Sequence, residues 1–85
     1  MPMTIDPWSN TPLWQQLAAI LRELIESGEL SAGDQLPSEL TLQQRHGVAR
    51  GTVRHAIRQL RDEGLVVVFA GRGAFVTPKR PQSQG

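Results

Sequence analysis

The sequence contains no cysteine, which excludes a disulfide scaffold and thiolate chemistry and fits a reducing compartment. It has no apolar run near the roughly 20 residues that a membrane span needs. Met1–Asp6 offers no basic start followed by an apolar stretch, so no secretory signal and a cytoplasmic location are expected. His46 and His55 stand nine residues apart with no cysteine nearby, so no metal-ligand spacing is present. The glycine loop Gly71-Arg72-Gly73 is not followed by a helical pattern, so it is neither a dinucleotide fingerprint nor a phosphate-binding loop. No nucleophile–base arrangement can be assembled and no internal repeat is visible. Neither catalysis nor a cofactor is expected.

A chain of 85 residues points to one small domain with a single core. Its formal net charge of +1 hides a split. Up to Leu42, Arg22 stands alone against Asp6, Glu23, Glu26, Glu29, Asp34 and Glu39, a net −5; from Gln43 onward eight cations face Asp62 and Glu63, a net +6. One basic face is the electrostatic footprint of a nucleic-acid partner, though two ordinary solvated surfaces would also give such a split.

Residues 1–11 read as an N-terminal arm, with Pro2, Pro7 and no periodicity. Trp8 is expected to pack, either capping the core or in a dimer contact. A first helix is predicted from Pro12 to Ser27, with Thr11 as its cap and Pro12 at the first helical position. Leu13, Leu17, Ile20, Leu21, Leu24 and Ile25 form its buried stripe, Trp14 is placed in the core, and Gly28 follows its end, letting Leu30 fold back. Gly33-Asp34 marks a turn, and Gln35-Leu36 a very short strand. A second helix is predicted over Glu39–His46, capped by Ser38 and ended by Gly47, with Leu40 and Leu42 facing inward. Val48 and Ala49 then lead into a third helix, Arg50 to Glu63, stopped by Gly64. Two helices joined by so tight a turn make a helix-turn-helix. Leu65–Phe69 and Ala74–Thr77 flank Ala70-Gly71-Arg72-Gly73 as a hairpin. The expected fold is therefore α+β, a winged helix-turn-helix over residues 12–77: three helices plus a C-terminal β-hairpin wing. Residues 78–85 read as a disordered tail or the start of a linker.

The third helix carries the most informative pattern. Arg50, Arg54, Arg58 and Arg61 fall within about 80° of its circumference, beside an apolar face of Val53, Ala56, Ile57 and Leu60. A helix that buries one side and projects guanidinium groups from another suits the major groove of a duplex. Arg50 and Arg54, in its first turns, are candidates for base or phosphate contact. Thr52 is a candidate for a phosphate or a thymine methyl, or is a helix residue chosen for size. His55 points to another polar side, as a DNA contact or a surface histidine. Arg58 is either a phosphate contact or the partner of Asp62 four residues on. Gly71 and Gly73 suit a hairpin turn and leave backbone free to approach a sugar-phosphate wall, with Arg72 entering a narrow minor groove. Ser38 is mainly a cap, and its hydroxyl or the helix start can also receive a phosphate.

Pro12-Leu13-Trp14-Gln15-Gln16, Gly28-x-Leu30-x-x-Gly33-Asp34-x-Leu36-Pro37-Ser38-Glu39, Val48-x-Arg50-x-Thr52-Val53-Arg54-x-Ala56, Glu63-Gly64-Leu65 and Gly71-Arg72-Gly73-x-Phe75-Val76, in that order, resemble the DNA-binding domain of GntR-family bacterial transcription regulators. The opening is most similar to the HutC and YtrA branches. The resemblance implies a transcription regulator, most often a repressor, that binds palindromic operators as a homodimer. The third helix would enter the major groove and the wing glycine would approach the minor groove. It implies DNA-facing positions at Ser38, Glu39, Ala49, Arg50, Gly51, Thr52, Arg54, His55, Arg58, Gly71, Arg72 and Gly73. A larger C-terminal domain usually binds a small effector, so this chain reads as an isolated DNA-binding fragment or as a stand-alone regulator. It departs from the family at Ala49, where a capping Ser or Thr is common, at Leu40, where an arginine is frequent, and at Gly51, where a bulkier residue is usual. Specificity is thereby shifted onto Arg50, Thr52 and Arg54. A docking module that uses the arginine stripe for an acidic protein partner remains the alternative.

Overall fold

Five elements form over residues 4–78, the part of the chain that the computed structural model describes: α1 Leu13–Ser27, α2 Glu39–His46, α3 Arg50–Asp62, β1 Val66–Phe69 and β2 Gly73–Val76. The expectation of a disordered tail falls, from residue 79 onward, outside the described residues.

Helix α1 starts one residue later than the sequence predicts. Pro12 keeps an extended ψ of 148° and occupies the cap position without a side-chain hydrogen bond; its carbonyl accepts from the Gln15 and Gln16 amides at 3.0 and 3.1 Å. Thr11 is not the cap. Its amide donates to Ser9 Oγ at 3.0 Å, and its carbonyl accepts from Gln16 Nε2 at 2.8 Å. Gln16 also exchanges two bonds with the Asp6 backbone, at 2.7 and 2.9 Å, which pins the arm to α1 while Ile5 packs on the core. Trp8 is 92% exposed, so the core-cap reading of that ring does not hold. At the other end the Leu30 amide returns to the Leu24 carbonyl at 3.0 Å, the expected fold-back.

Helix α2 has the predicted bounds because both its ends are chemically marked. Ser38 Oγ accepts the Thr41 amide at 3.1 Å, satisfying one of the donors a helix start leaves free. Gly47, at φ 66°, closes the helix with its amide on the Gln43 carbonyl at 2.8 Å. A side chain there would meet no neighbour, so glycine is favoured by the left-handed backbone and not by crowding. Leu42 is fully buried, whereas Leu40 is 61% exposed, a correction to the expected inward pair. Two residues apart on a helix means about 200° of rotation, so only one of the two can face the core.

Strands β1 and β2 pair antiparallel with Val66 opposite Val76 and Phe69 opposite Gly73. The predicted short strand at Gln35-Leu36 is a single bridge, Gln35 to Phe75. It is extended by bonds from the Leu36 amide to the Ala74 carbonyl and from the Val76 amide to the Asp34 carbonyl, both 2.8 Å. Thus β2 is held on both edges. The core lies where α1, α2, α3 and the hairpin converge, with Leu17, Leu21, Leu42, Val53, Leu60 and Val66 almost wholly removed from water.

One ion pair ties the first helix to the end of the third. Arg22 donates through Nε and Nη2 to the two oxygens of Glu63, at 2.9 and 2.7 Å, and Gln59 Nε2 adds a bond at 2.8 Å. The Arg22 hydrogen bond, then the Gln59 bond, hold the Glu63 carboxyl below its usual range. A carboxylate whose pKa is depressed on folding contributes stability above its unfolded pKa and loses it as pH falls through the folded value. Glu63→Gln should therefore flatten the decline of Tm below about pH 4.3, measured by thermal melts across pH. An unchanged acid limb would show that the pair adds nothing.

Candidate nucleic-acid interface

Helix α3 reaches the surface with its arginines on the side away from the core. Val53, Ala56 and Leu60 are buried, while Arg50, Arg54 and Arg58 are exposed. Its start has no side-chain cap, because Ala49 supplies a backbone turn (φ −76°, ψ 159°) and no oxygen. The amide donors of the first turn therefore face outward without a side-chain acceptor. Gly51 is exposed, and a side chain there would meet nothing within 4 Å.

The two leading arginines are not independent. Glu39, the first residue of α2, sets one carboxylate oxygen toward each. Arg54 Nε donates to Oε2 at 3.2 Å, and Arg50 Nε lies 3.7 Å from Oε1. Both contacts use Nε, so neither arginine spends its terminal Nη pair on Glu39. Arg58 has no carboxylate within 4 Å among the described residues; of its two readings, the pair with Asp62 is not formed, and Asp62 meets Arg61 at 3.4 Å. An arginine placed N-terminal to its carboxylate is the weaker orientation of an exposed helical pair, so no strong preference holds it.

The wing supplies the other wall. An open groove of about 530 Å³ runs between the start of α2, the flank of α3 and the hairpin, lined among others by Ser38, Glu39, Leu40, Arg54, Gly71 and Arg72. The wing turn has positive φ at Gly71 (77°) and Gly73 (113°). At Gly73 a Cβ would stand 2.8 Å from Gln35 Nε2, and that same amide donates to the Arg72 carbonyl at 2.9 Å. The loop is therefore fastened from below by Gln35, and Arg72 lies over the Phe69 ring at 5.7 Å. Phe69 in turn meets Phe75 edge-on at 5.8 Å.

Of the twelve candidate positions, the structure gathers Ser38, Glu39, Arg54, Gly71, Arg72 and Gly73 around this groove. Arg50 joins them through Glu39. Thr52 is half-buried, and His55 lies elsewhere. The His55 ring stacks on Trp14 of α1 with centroids 3.9 Å apart and planes 14° from parallel. Trp14 is correspondingly half-buried at the α1–α3 seam and not in the core, which corrects its expected placement. Sequence reasoning missed Gln35, Phe69 and the exposed Leu40 as parts of the site. Gln35 and Phe69 carried only a strand signal.

His46, in the last turn of α2, is pushed below its usual imidazole range by burial and then by the neighbouring Arg45. Among the described residues no three His, Cys, Asp or Glu side chains gather as a metal site, and no helix is long and apolar enough to cross a membrane.

The sequence profile described as "Bacterial regulatory proteins, gntR family" matches residues 13–76. The chain is 45% identical over 71 residues to the mannosyl-D-glycerate transport/metabolism system repressor MngR of Escherichia coli (strain K12), covering 84% of this chain and 30% of that protein. It spans about a third or less of the length of the curated relatives it matches first. Among solved structures, YtrA from Sulfolobus acidocaldarius, described as a GntR-family transcription factor, superposes with a TM-score of 0.83 at 41% identity, over 92% of this chain and 82% of that one. The DNA-binding domain of AraR in complex with operator ORX1 gives 0.79 at 32% identity, over 85% and 89%.

Proposed function

Since the chain belongs to the gntR family of bacterial regulatory proteins, we propose that it is the DNA-reading part of a transcription regulator, with α3 in the major groove and the wing at the adjacent minor groove of an inverted-repeat site. The observation that carries this reading is the groove itself. Its walls come from α2, α3 and the wing, its cations are Arg54 and Arg72, and its apolar lining includes Leu40. Guanidinium forks suit guanine O6 and N7, and an exposed leucine suits a thymine methyl. The amides of the uncapped α3 start and the wing backbone at Gly71 suit phosphate oxygens. The AraR domain, solved on its operator, supports the docking mode, and MngR, named a repressor, supports repression by occupancy. Two copies on one inverted repeat complete the arrangement, since palindromic half-sites mirror a two-fold protein pair. The proposed protein acts in the cytoplasm, on the nucleoid, without catalysis or a cofactor. A small effector enters only through a further domain.

Selection from a random duplex library, followed by fluorescence anisotropy at 50 and 200 mM salt, tests this. An inverted repeat should emerge, and its affinity should fall by orders of magnitude between the two salts as counterions are released. Absence of any enriched sequence, with no shift of random duplex at 50 mM salt, would favour docking to an acidic protein instead.

A further inference from the structure

An acidic side chain inside a surface meant for DNA is costly, since it faces a polyanion. Glu39 nevertheless lines the groove and sits between the two arginines best placed to read bases. Glu39 is the first residue of its helix, where a carboxylate is favourable to the macrodipole, but that role alone would not require contact with both guanidinium groups. The way it makes those contacts is informative. It meets each arginine at Nε, on separate oxygens, 3.7 Å from Arg50 and 3.2 Å from Arg54. The Arg54 guanidinium, hydrogen-bonded at Nε, is oriented while its Nη1–Nη2 edge stays open; Arg50, at ion-pair distance, is drawn to the same carboxylate by charge. The open Nη1–Nη2 edge is the one that forms a bidentate pair with guanine. Both arginine side chains are otherwise more than half exposed, at 64% and 55%, and long exposed side chains lose rotamer entropy whenever they are fixed on a ligand.

We infer that Glu39 is a specificity-determining positioning residue: one carboxylate that orders Arg50 and Arg54 as a pair for base readout while discouraging loose phosphate binding. This inference rests on the proposed docking of α3 in the major groove. Its consequence is that removing the charge moves two affinities in opposite directions. Specific binding weakens because the forks must be ordered on the DNA. Non-specific binding strengthens because a negative charge has left the surface and both arginines are freed for phosphates.

The test compares the full chain with Glu39→Gln, a near-isosteric change on a half-buried side chain, using the duplex selected by the unmodified protein and a random duplex of equal length. Arg50→Ala/Arg54→Ala serves as the control, and circular dichroism confirms helix content. The expected result for Glu39→Gln is a fall of about tenfold or more in the ratio of specific to random affinity, of the order one bidentate pair contributes, with random-duplex affinity unchanged or raised. In the free protein, the Arg54 Nε–H resonance should lose its protection from exchange. A preserved ratio, whether both affinities rise together or neither moves, overturns the inference: Glu39 would then be a repelling charge or a bystander. If the double arginine control also keeps the ratio, the docking of α3 itself is wrong. If the control abolishes it while Glu39→Gln does not, only the role given to Glu39 fails.

Discussion

Replacing both Arg50 and Arg54 by alanine is expected to reduce affinity for the selected inverted repeat by about 30-fold or more, since each bidentate base contact contributes roughly 1–3 kcal/mol. Random-duplex affinity should fall less, because Arg58 and Arg72 and the backbone donors of the wing and the α3 start still meet phosphates. The salt slope should shrink by at most the two charges removed. Both arginines are exposed, and among the described residues Glu39 is their carboxylate partner, so the fold should survive and Tm should stay within a few degrees. Equal loss on both duplexes would mean that the pair contacts only phosphates.

Leu60→Ala is expected to have the largest effect on stability. Leu60 has no exposed surface, and it belongs to the cluster in which α1, α2 and the hairpin close on α3. Truncating such a leucine removes transfer energy and leaves a cavity, at a cost of about 2–5 kcal/mol. In a domain this small each kcal/mol lowers Tm by roughly 4–8 °C, so melting should fall by about 8 °C or more. At ordinary temperature DNA affinity should then weaken only through the unfolded fraction. A shift under about 5 °C would contradict the placement of Leu60 at the centre of the core.

What the sequence made legible is what lies in local chemistry. Helix α2 carries a serine cap at one end and glycine at the other, and both bounds follow from those residues. The arginine stripe and the buried stripe of α3 are separated by helical period alone. Where only a short element was available, the period was too weak: eight residues do not tell whether Leu40 or Leu42 faces the core, and the core takes Leu42. The pairing of Glu39 with Arg50 and Arg54 crosses from one helix to the next, so no i, i+4 rule points to it. The Trp14–His55 stack likewise joins α1 to α3 across some forty residues of chain, and it sets the His55 ring against the first helix. Gln35 looked like part of a strand. Its task, fastening the Arg72 carbonyl beneath a glycine whose φ is 113°, becomes visible only when the hairpin has folded over it.

The wing loop hangs on Gln35 and on the Arg72–Phe69 contact, whereas the start of α3 is set by the core under Val53.

If the proposed docking holds, the fold presents Arg50, Arg54 and the Gly71–Gly73 turn to one double strand. An NMR titration of the full chain with its selected inverted repeat, at moderate salt, tests it most directly. The amides of residues 49–54 and 71–73, with the Nε–H groups of Arg50 and Arg54, should move first and furthest, while the C-terminal end of α1 at residues 23–27 stays still. Shifts concentrated on α1 or the arm, with residues 49–54 and 71–73 unmoved, would contradict it.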